Sequence, residues 1–342
     1  MANHELTERM LRYTRRLLVT RGYSQRTMAT YLGWIKRFMR HLGHPHPRSI
    51  QTNHVERYLK HLANEEKLAP SSRNQATSAL AFLFREVLGS EALASVKRAR
   101  GKGRLPIVLS HREALSILDA LSGRKQLAAA LMYGTGMRIT ETLRLRIKDL
   151  DFELGRIDVR DGKGGKSRIV MLPDTLQRDL HGLIEHVRRQ HEKDLGNGGG
   201  WSSLPGALHR KKPEAGFAFG WQFLFSARRI SKDPATDRWG RYHVAPSAMQ
   251  RTFHAAVKAS NVIKPATCHT LRHSFATQMI RDGYDIRTVQ QLLGHKDVRT
   301  TMIYTHVVDQ VGFHVRSPLD RDLPRPRPED GNPVAIRLHS PP

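Results

Sequence analysis

The chain has 342 residues, long enough for two ordinary domains and too long for one comfortable core. Its 57 lysines and arginines against 31 acidic residues leave a formal net charge of +26, too large for a generic enzyme and typical of a protein that binds a polyanion. No apolar run approaches the roughly 20 residues of a membrane-spanning helix, the charged start does not fit a signal peptide, and one cysteine excludes an intrachain disulfide. We expect a soluble, intracellular protein that binds nucleic acid.

Helical periodicity dominates residues 1–97, and no strand is predicted there. In "SQRTMATYLGWIKRFMRHLG", Ser24 is a candidate N-cap, and apolar residues recur at helical spacing on one face. Lys36, Arg37 and Arg40 fall elsewhere on that helix. These basic residues are either DNA contacts, which the net charge favours, or an ordinary solvated helix face.

The stretch "VKRARGKGRLPIVLS" interrupts the periodicity and predicts a basic linker over residues 98–109. Arg100, Lys102 and Arg104 are its candidate phosphate contacts, since an extended basic segment can lie along a nucleic-acid backbone.

A second domain is predicted over residues 110–318. Ser110 and Glu113 form a capping-box pattern that opens a helix with apolar positions at Leu115, Leu118 and Leu121. "GRIDVRDGKGGKSRIVMLP" predicts a β-hairpin, and helical patterns return later. Residues 196–242 are irregular and rich in glycine, proline, aromatic and basic residues, and the proline-rich tail 319–342 is expected to be disordered.

Two candidate cationic residues lie near the hairpin. Arg138 follows "YGTGM" at a predicted helix N-terminus, where it either helps bind an anion or pairs with Glu141 one turn later. Lys163, at the hairpin tip "DGKGGKS", is either a substrate-reaching cation or an ordinary exposed lysine. The "GGKS" letters do not indicate a phosphate-binding P-loop, because Arg160 stands where that motif needs glycine.

In "CHTLRHSFATQMI", one histidine shares a helix face with an arginine, and a second histidine follows one turn later. His269 and Arg272 are three residues apart, and His269 and His273 are four apart. The histidine pair resembles zinc ligands, but Thr270 stands where the zincin motif requires glutamate. No metal site is predicted.

In "LLGHKDVRTTMIYTH", Gly294 is expected to end a helix, so that His295 lies just past the helix end. Tyr304 falls on the next helix, where a core position is its ordinary interpretation.

Together these residues fit metal-free cleavage of a phosphodiester. Arg138 and Arg272 can clamp the non-bridging oxygens, and Tyr304 can attack to give a phosphotyrosyl intermediate. Nucleases that use metal instead need clustered carboxylates, which this pattern lacks.

The remaining candidates supply protons and hydrogen bonds. Lys163 is the candidate acid for the leaving 5′-oxygen. His269 can accept the tyrosine proton or orient a phosphate oxygen, and His295 can hydrogen-bond the same phosphate.

In their order and spacing, these six residues resemble the catalytic set of the tyrosine recombinases, and "GTGMRITE", "HTLRHSFAT", "LLGH" and "TTMIYTH" match that family closely. More narrowly, the chain resembles the integron integrases in "LPGALHRKKPEAGFAFGWQFLFSARR", in "KPAT" before His269 and in "DGYDIRTVQ". The match runs from about residue 8 to 318.

The resemblance implies a mainly α fold with a small antiparallel β-sheet (α+β), arranged as a C-shaped clamp around DNA. Residues 1–97 would be the helical, SAM-like core-binding domain and residues 110–318 the catalytic domain. It further implies a 3′-phosphotyrosyl intermediate without cofactor, a homotetramer on DNA, and a bacterial cytoplasmic location, nucleoid-associated when bound. Substrates would be gene-cassette attachment sites, both double-stranded and folded single-stranded.

Aromatic and basic residues alternate in the segment 196–242, which suits unpaired bases because aromatic rings stack on any base while cations follow phosphates. Trp221 is the first candidate for stacking, although packing within the domain is an equal alternative. Phe223 and Phe225 are expected to pack. The other predicted DNA contacts of this segment are His243, Pro234, Lys211 and Lys212.

Two other functions share these features. A DNA-binding protein of the same fold that no longer cuts is disfavoured by the complete set of six residues. A type IB topoisomerase uses the same chemistry, but the amino-terminal helical domain and the aromatic segment favour recombination.

Overall fold

The computed structural model describes residues 2–90, 99, 105–160, 167–233 and 236–310. It divides into two compact units, Met1–Arg104 and Leu105–Pro342. The division falls within the predicted linker 98–109. Several predicted features lie outside the described residues, namely Arg100, Lys102, Arg104, Lys163, Pro234 and the tail 319–342.

The described part of the first unit is helical. Its helices are α1 (Ala2–Thr20), α2 (Gln25–His41), α3 (Thr52–Asn64) and α4 (Pro70–Phe82), with a 3-10 turn at Pro47–Ser49 and a π-helical end at Leu83–Val87. Ser24 caps α2 by accepting a hydrogen bond from the Thr27 amide at 3.1 Å, as the sequence predicts. Ile35 and Phe38 from α2, with Tyr58 from α3, are buried in one hydrophobic core.

The basic residues of α2 lie outside this core. Lys36 and Arg40 are exposed, and Lys36 pairs with Glu8 at 3.6 Å. Arg37 is half-buried, paired with Glu66, and its guanidinium lies 5.2 Å from the Trp34 ring centroid. The exposure of Lys36 and Arg40 fits both a solvated face and a DNA contact, whereas Arg37 is partly committed to packing.

The second unit combines nine described helices with two small antiparallel sheets. The helices are α5 (His111–Asp119), α6 (Gly123–Thr135), α7 (Ile139–Leu143), α8 (Asp174–Gly196), α9 (Leu208–Lys211), α10 (Pro246–Ala259), α11 (Cys268–Arg281), α12 (Ile286–Leu293) and α13 (Arg299–Gln310). The strands are β1 (Leu150–Asp151), β2 (Arg156–Val159), β3 (Arg168–Met171), β4 (Ser231–Lys232) and β5 (Trp239–Gly240). The predicted fold class, mainly helical with a small antiparallel sheet, is confirmed.

Local sequence signals account for much of this unit. The predicted hairpin is β2 paired with β3, with Ile157 opposite Val170, and β1 adds a third strand. The Ser110–Glu113 capping box is present, with the Glu113 amide donating to Ser110 Oγ at 3.1 Å. One expectation is wrong: Leu115 is 42% exposed, because the buried face of this short helix runs through Ala114, Ile117 and Leu118.

Helix α11 packs against α6, α12 and α13. Its apolar face is buried through Leu271, Phe275 and Ala276, which anchors the helix in the core. The residues of α11 that lie between these apolar positions are therefore held in place against the neighbouring helices.

Gly136 ends α6 in the left-handed conformation, with φ of 66°. A Cβ at this position would lie 2.4 Å from the Phe275 ring, so glycine is required both by the backbone conformation and by the approach of α11. By contrast, Gly155 has φ of 58° but no atom within 4 Å of an added Cβ.

We therefore expect Gly136→Ala to destabilise the second unit more than the matched change Gly155→Ala. Gly155→Ala, the control, should lower the free energy of unfolding by about 1 kcal/mol because of its backbone conformation alone. Gly136→Ala should lower it by at least about 1 kcal/mol more, because Phe275 must move. Urea unfolding of the two variants measures the difference. Equal losses would show that Phe275 moves aside without cost.

Candidate active site

Three arginines surround one buried carboxylate. Glu141, 9% exposed on α7, accepts hydrogen bonds from Arg138 Nη1 at 2.7 Å and from Arg168 Nη2 at 2.7 Å. Arg272 Nη1 lies 3.9 Å from the same carboxylate. We call these four residues the arginine cluster. Its three guanidinium groups exceed its single carboxylate by two positive charges, as an anion-binding site requires.

Burial and charge set the pKa values within the arginine cluster. Burial opposes ionisation of Glu141, but hydrogen bonds and charge from Arg168, and then from Arg138, lower its pKa to about 2. Burial, followed by the charge of Arg138, lowers the pKa of Arg272 to about 9. Glu141 and Arg272 are therefore both ionised at neutral pH.

Backbone carbonyls fix the guanidinium of Arg272, which is 1% exposed on α11. Nη1 donates to the Gly136 carbonyl at 2.6 Å, and Nη2 donates to the Leu293 carbonyl at 2.6 Å. Both acceptors belong to helix C-termini, those of α6 and α12, which carry partial negative charge. Arg272 is therefore held where two helices end.

His295 continues this network beyond α12. Its Nε2 accepts from Arg272 Nη2 at 3.0 Å, so the ring proton is on Nδ1 and is donated to Thr301 Oγ1, 2.9 Å away. Burial, followed by the charge of Arg272 and Arg138, lowers the pKa of His295 to about 3, and the ring is neutral at pH 7. Gly294, left-handed with φ of 64°, turns the chain to place it there.

Tyr304 is 1% exposed on α13, and its ring stacks on that of His295 with centroids 6.4 Å apart. A 2.9 Å hydrogen bond joins its hydroxyl to Nδ1 of His273. Burial raises the pKa of the Tyr304 hydroxyl, while the positive charges of Arg272 and Arg138 act in the opposite direction. The hydroxyl is therefore protonated and close enough to the arginine cluster to sense its charge.

The structure brings the described members of the predicted catalytic set into one contact network. Arg138 joins it through Glu141, Arg272 contacts His295, and His295 stacks on Tyr304. His269 joins through His273, with ring centroids 4.5 Å apart. The sixth residue, Lys163, lies outside the described residues.

Two residues of this site were missed by sequence reasoning. Arg168 begins β3, and a strand-edge arginine gives no local sign that it will meet Glu141. For His273 the sequence suggests only a resemblance to a zinc ligand beside His269. Its spacing of four residues from His269 places both rings on one side of α11, which is the signal that could have found it.

The aromatic segment 196–242 is fastened to the rest of the unit through Arg146. This buried arginine donates to Ser202 Oγ, to the Trp221 carbonyl and to the Ser203 carbonyl, each at 2.6 Å. Its guanidinium also lies 3.6 Å from the Phe223 ring centroid. Phe223 and Phe225 are buried, as predicted.

Trp221 lines a cavity of about 320 Å³ that also reaches Glu141 of the arginine cluster. This volume lies at the lower end of the range typical of ligand pockets, roughly 300–1,000 Å³. The Lys148 ammonium lies 2.9 Å from the Trp221 ring centroid, a cation–π contact. The remaining charged lining is Arg144, Arg146, Arg160 and Asp149, and Asp149 pairs with Arg160 at 2.5 Å. With Glu141, the lining therefore has three cations and two carboxylates.

The other predicted contacts of this segment differ in exposure. Lys211 and Lys212 are exposed at the end of α9. His243 is 6% exposed, with its ring centroid 5.3 Å from that of Phe223 and its Nε2 accepting from Arg144 Nε at 3.4 Å. A DNA contact by the His243 ring, as the sequence predicts, would require this packing to change.

No three His, Cys, Asp or Glu side chains in the described part of the chain come together in a way that could hold a metal ion. No described helix is both long enough and apolar enough to cross a membrane.

Comparison with known families matches both units. Residues 108–310 match the phage integrase family, and residues 6–92 match the phage integrase N-terminal SAM-like domain. An integrase/recombinase of Escherichia coli is 47% identical over 300 residues, which cover 87% of this chain and 89% of the relative. A tyrosine recombinase XerC of Lactobacillus delbrueckii subsp. bulgaricus is 31% identical over 319 residues, covering 88% and 94%.

Solved structures share the fold. A lambda integrase dimer bound to a COC′ core site aligns with a TM-score of 0.62 at 21% identity, over 94% of this chain and 80% of that one. A lambda integrase tetramer bound to a Holliday junction aligns with a TM-score of 0.62 at 21% identity, over 87% and 76%.

The fold and these matches define a DNA strand-exchange enzyme that works through a tyrosine. The chain belongs to the phage integrase family of tyrosine recombinases. It is accordingly a site-specific recombinase that binds, cleaves and rejoins DNA.

The neutral, half-buried His295 leads to a pH prediction. Its pKa is about 3 in the folded chain, against about 6.5 for ordinary histidine, so between these values the unfolded chain binds a proton that the folded chain does not. Stability should therefore fall as pH drops through 6.5. In urea unfolding at pH 7.5 and pH 5, His295→Asn should reduce this loss by on the order of 1 kcal/mol.

The exposed His254 on α10 provides the matched control. His254→Asn should leave the pH dependence of unfolding unchanged. If both variants change that dependence equally, His295 is not held neutral by its surroundings.

Proposed function

We propose that Tyr304 is the nucleophile and that it cleaves DNA to leave a 3′-phosphotyrosyl bond. The observation that carries this proposal is the position of its buried hydroxyl, which is hydrogen-bonded to His273 within a network that includes Arg272 and His295. A tyrosine that only filled the core would not need two excess positive charges beside it.

In this scheme Arg138 and Arg272 bind the non-bridging oxygens of the scissile phosphate. Charge fixed in place before the reaction stabilises the phosphorane-like transition state without the cost of reorganising solvent. Arg168 acts through Glu141, which it helps to keep ionised, and is a positioning residue. Lys163 protonates the leaving 5′-oxygen, and no metal ion or cofactor takes part.

Two histidines complete the proposed phosphate site. His295 holds Arg272 and can turn a ring nitrogen to the phosphate once that hydrogen bond is exchanged. Because the Tyr304 hydroxyl is bonded to His273, His269 is assigned the other of its two predicted roles, phosphate orientation.

We further propose that the substrates are gene-cassette attachment sites, including folded single strands with unpaired bases. The support is the cavity of about 320 Å³ that joins Trp221 to the arginine cluster and carries Arg144 and Arg160. A base stacked on an aromatic ring there would be flanked by cations that can contact its phosphates. The enzyme would act as a homotetramer on paired sites, in the bacterial cytoplasm, nucleoid-associated when bound.

Tyr304→Phe should abolish the covalent adduct while leaving DNA affinity within about twofold, because only the attacking hydroxyl is lost. The assay incubates a labelled cassette-type hairpin and its duplex form with protein in EDTA, followed by denaturing gel electrophoresis. Tyr284→Phe, at an exposed tyrosine, is the matched control and should form adduct normally. An adduct in Tyr304→Phe would remove this residue from the mechanism, and loss of the wild-type adduct in EDTA would contradict the metal-free scheme.

Trp221→Ala should weaken recombination of a folded single-stranded site more than binding to plain duplex. Loss of one base–aromatic stack corresponds to about 1–3 kcal/mol, or roughly 5- to 150-fold in affinity for the folded site. Trp239→Ala is the control, since Trp239 is an exposed tryptophan of the same segment. Equal losses on both DNA forms would assign Trp221 to packing.

A further inference from the structure

The hydrogen-bond partner of the Tyr304 hydroxyl is a histidine outside the predicted catalytic set. Nδ1 of His273 lies 2.9 Å from the hydroxyl oxygen, and the two rings are 5.5 Å apart at an angle of 52°. His273 follows Arg272 directly on α11, so the core packing that holds the arginine also places this ring. The sequence instead offers His269 for acceptance of the tyrosine proton, as one of two alternative roles.

We propose that His273 is a further catalytic residue, which orients the Tyr304 hydroxyl and accepts its proton as the tyrosine attacks phosphorus. This inference rests on the proposed function, because it requires Tyr304 to be the nucleophile. A ring nitrogen already within hydrogen-bond distance satisfies the geometric requirement for a general base.

The proposed step exchanges one phosphoester bond for another. The bond between Tyr304 Oη and phosphorus forms as the bond from phosphorus to the 5′-oxygen breaks. The tyrosine proton moves to Nδ1 of His273, and the leaving 5′-oxygen takes a proton from a separate acid, for which Lys163 is proposed. During rejoining, the protonated His273 returns its proton to the departing tyrosine oxygen.

The surroundings of His273 keep its ring neutral and able to accept. Burial, followed by the charge of His269 and then of Arg272, lowers the pKa of His273 to about 4. The groups that face it are His269 and Arg272 on its own helix and Tyr304 on α13, with His295 stacked on the far side of Tyr304. At neutral pH the ring is therefore not already protonated when DNA binds.

Bound DNA should strengthen this base. A phosphate anion held by Arg138 and Arg272 offsets the positive charge that depresses the pKa of His273, so the basicity of the ring rises when substrate arrives. The same arginines favour the tyrosinate that forms. Proton transfer would thus be coupled to substrate binding.

The test is single-turnover adduct formation by the full chain, with His273→Asn and His273→Gln compared with wild type. Each amide can still hydrogen-bond the hydroxyl but cannot accept its proton. The DNA is the cassette-site hairpin or duplex on which wild type forms its adduct, used with the ordinary 5′-oxygen and with sulfur in its place. A sulfur leaving group needs no acid, so only a base defect persists on it.

We expect both variants to slow adduct formation by about 100-fold or more on both DNAs, with affinity within about twofold of wild type. Their rates should rise with pH between 6 and 9, as ionisation of the tyrosine itself replaces the base, whereas the wild-type rate is level. His254→Asn, at an exposed histidine, should match wild type.

Three outcomes would overturn the inference. If the His273 variants form the adduct at the wild-type rate, Tyr304 remains the nucleophile but His273 is not its base. A defect rescued by the sulfur DNA would make His273 an acid, and a defect with an unchanged pH profile would restrict it to positioning. Absence of adduct in wild type itself would instead reject the proposed function, and the inference with it.

Discussion

The candidate site depends on the charge compensation between Glu141 and its arginines. Without that carboxylate, Arg138, Arg168 and Arg272 would bring three positive charges together in a poorly hydrated place, at a high cost in repulsion and lost solvation. With it, the arginines are held by hydrogen bonds and still exceed the carboxylate by two charges. The site is therefore stable when folded and retains a strong attraction for a phosphate.

Helix α11 connects the hydrophobic core of the second unit with the candidate active site. Leu271 and Phe275 are buried on one side of the helix, and Arg272 and His273 project from between them. Because the apolar residues fix the rotation of the helix, the guanidinium and imidazole are positioned by packing rather than by flexible loops. The close approach of Phe275 to Gly136 belongs to the same arrangement, since the Gly136 carbonyl also accepts from Arg272.

The aromatic segment is attached to the same unit by a buried cation. Arg146 bonds Ser202, Ser203 and the Trp221 backbone and lies over Phe223, so the segment has a defined place although little of it is regular secondary structure. Trp221 then borders a cavity shared with Glu141. In the proposed scheme, a substrate group in this cavity would sense the charge of the arginine cluster directly, which would connect recognition with cleavage.

The sequence by itself determined the helices, the hairpin and the Ser24 and Ser110 caps, because periodicity and capping are local signals. It also indicated the predicted catalytic set around Tyr304, because short motifs that resemble those of a known family are local signals as well. Only the tertiary structure decided which partners meet across long separations. Arg168 pairs with Glu141, and the Tyr304 hydroxyl forms its hydrogen bond with His273 rather than with His269. His243 is buried beside Phe223. These contacts join helices and strands far apart in the chain, so their geometry depends on how the core packs and cannot be obtained from residue spacing.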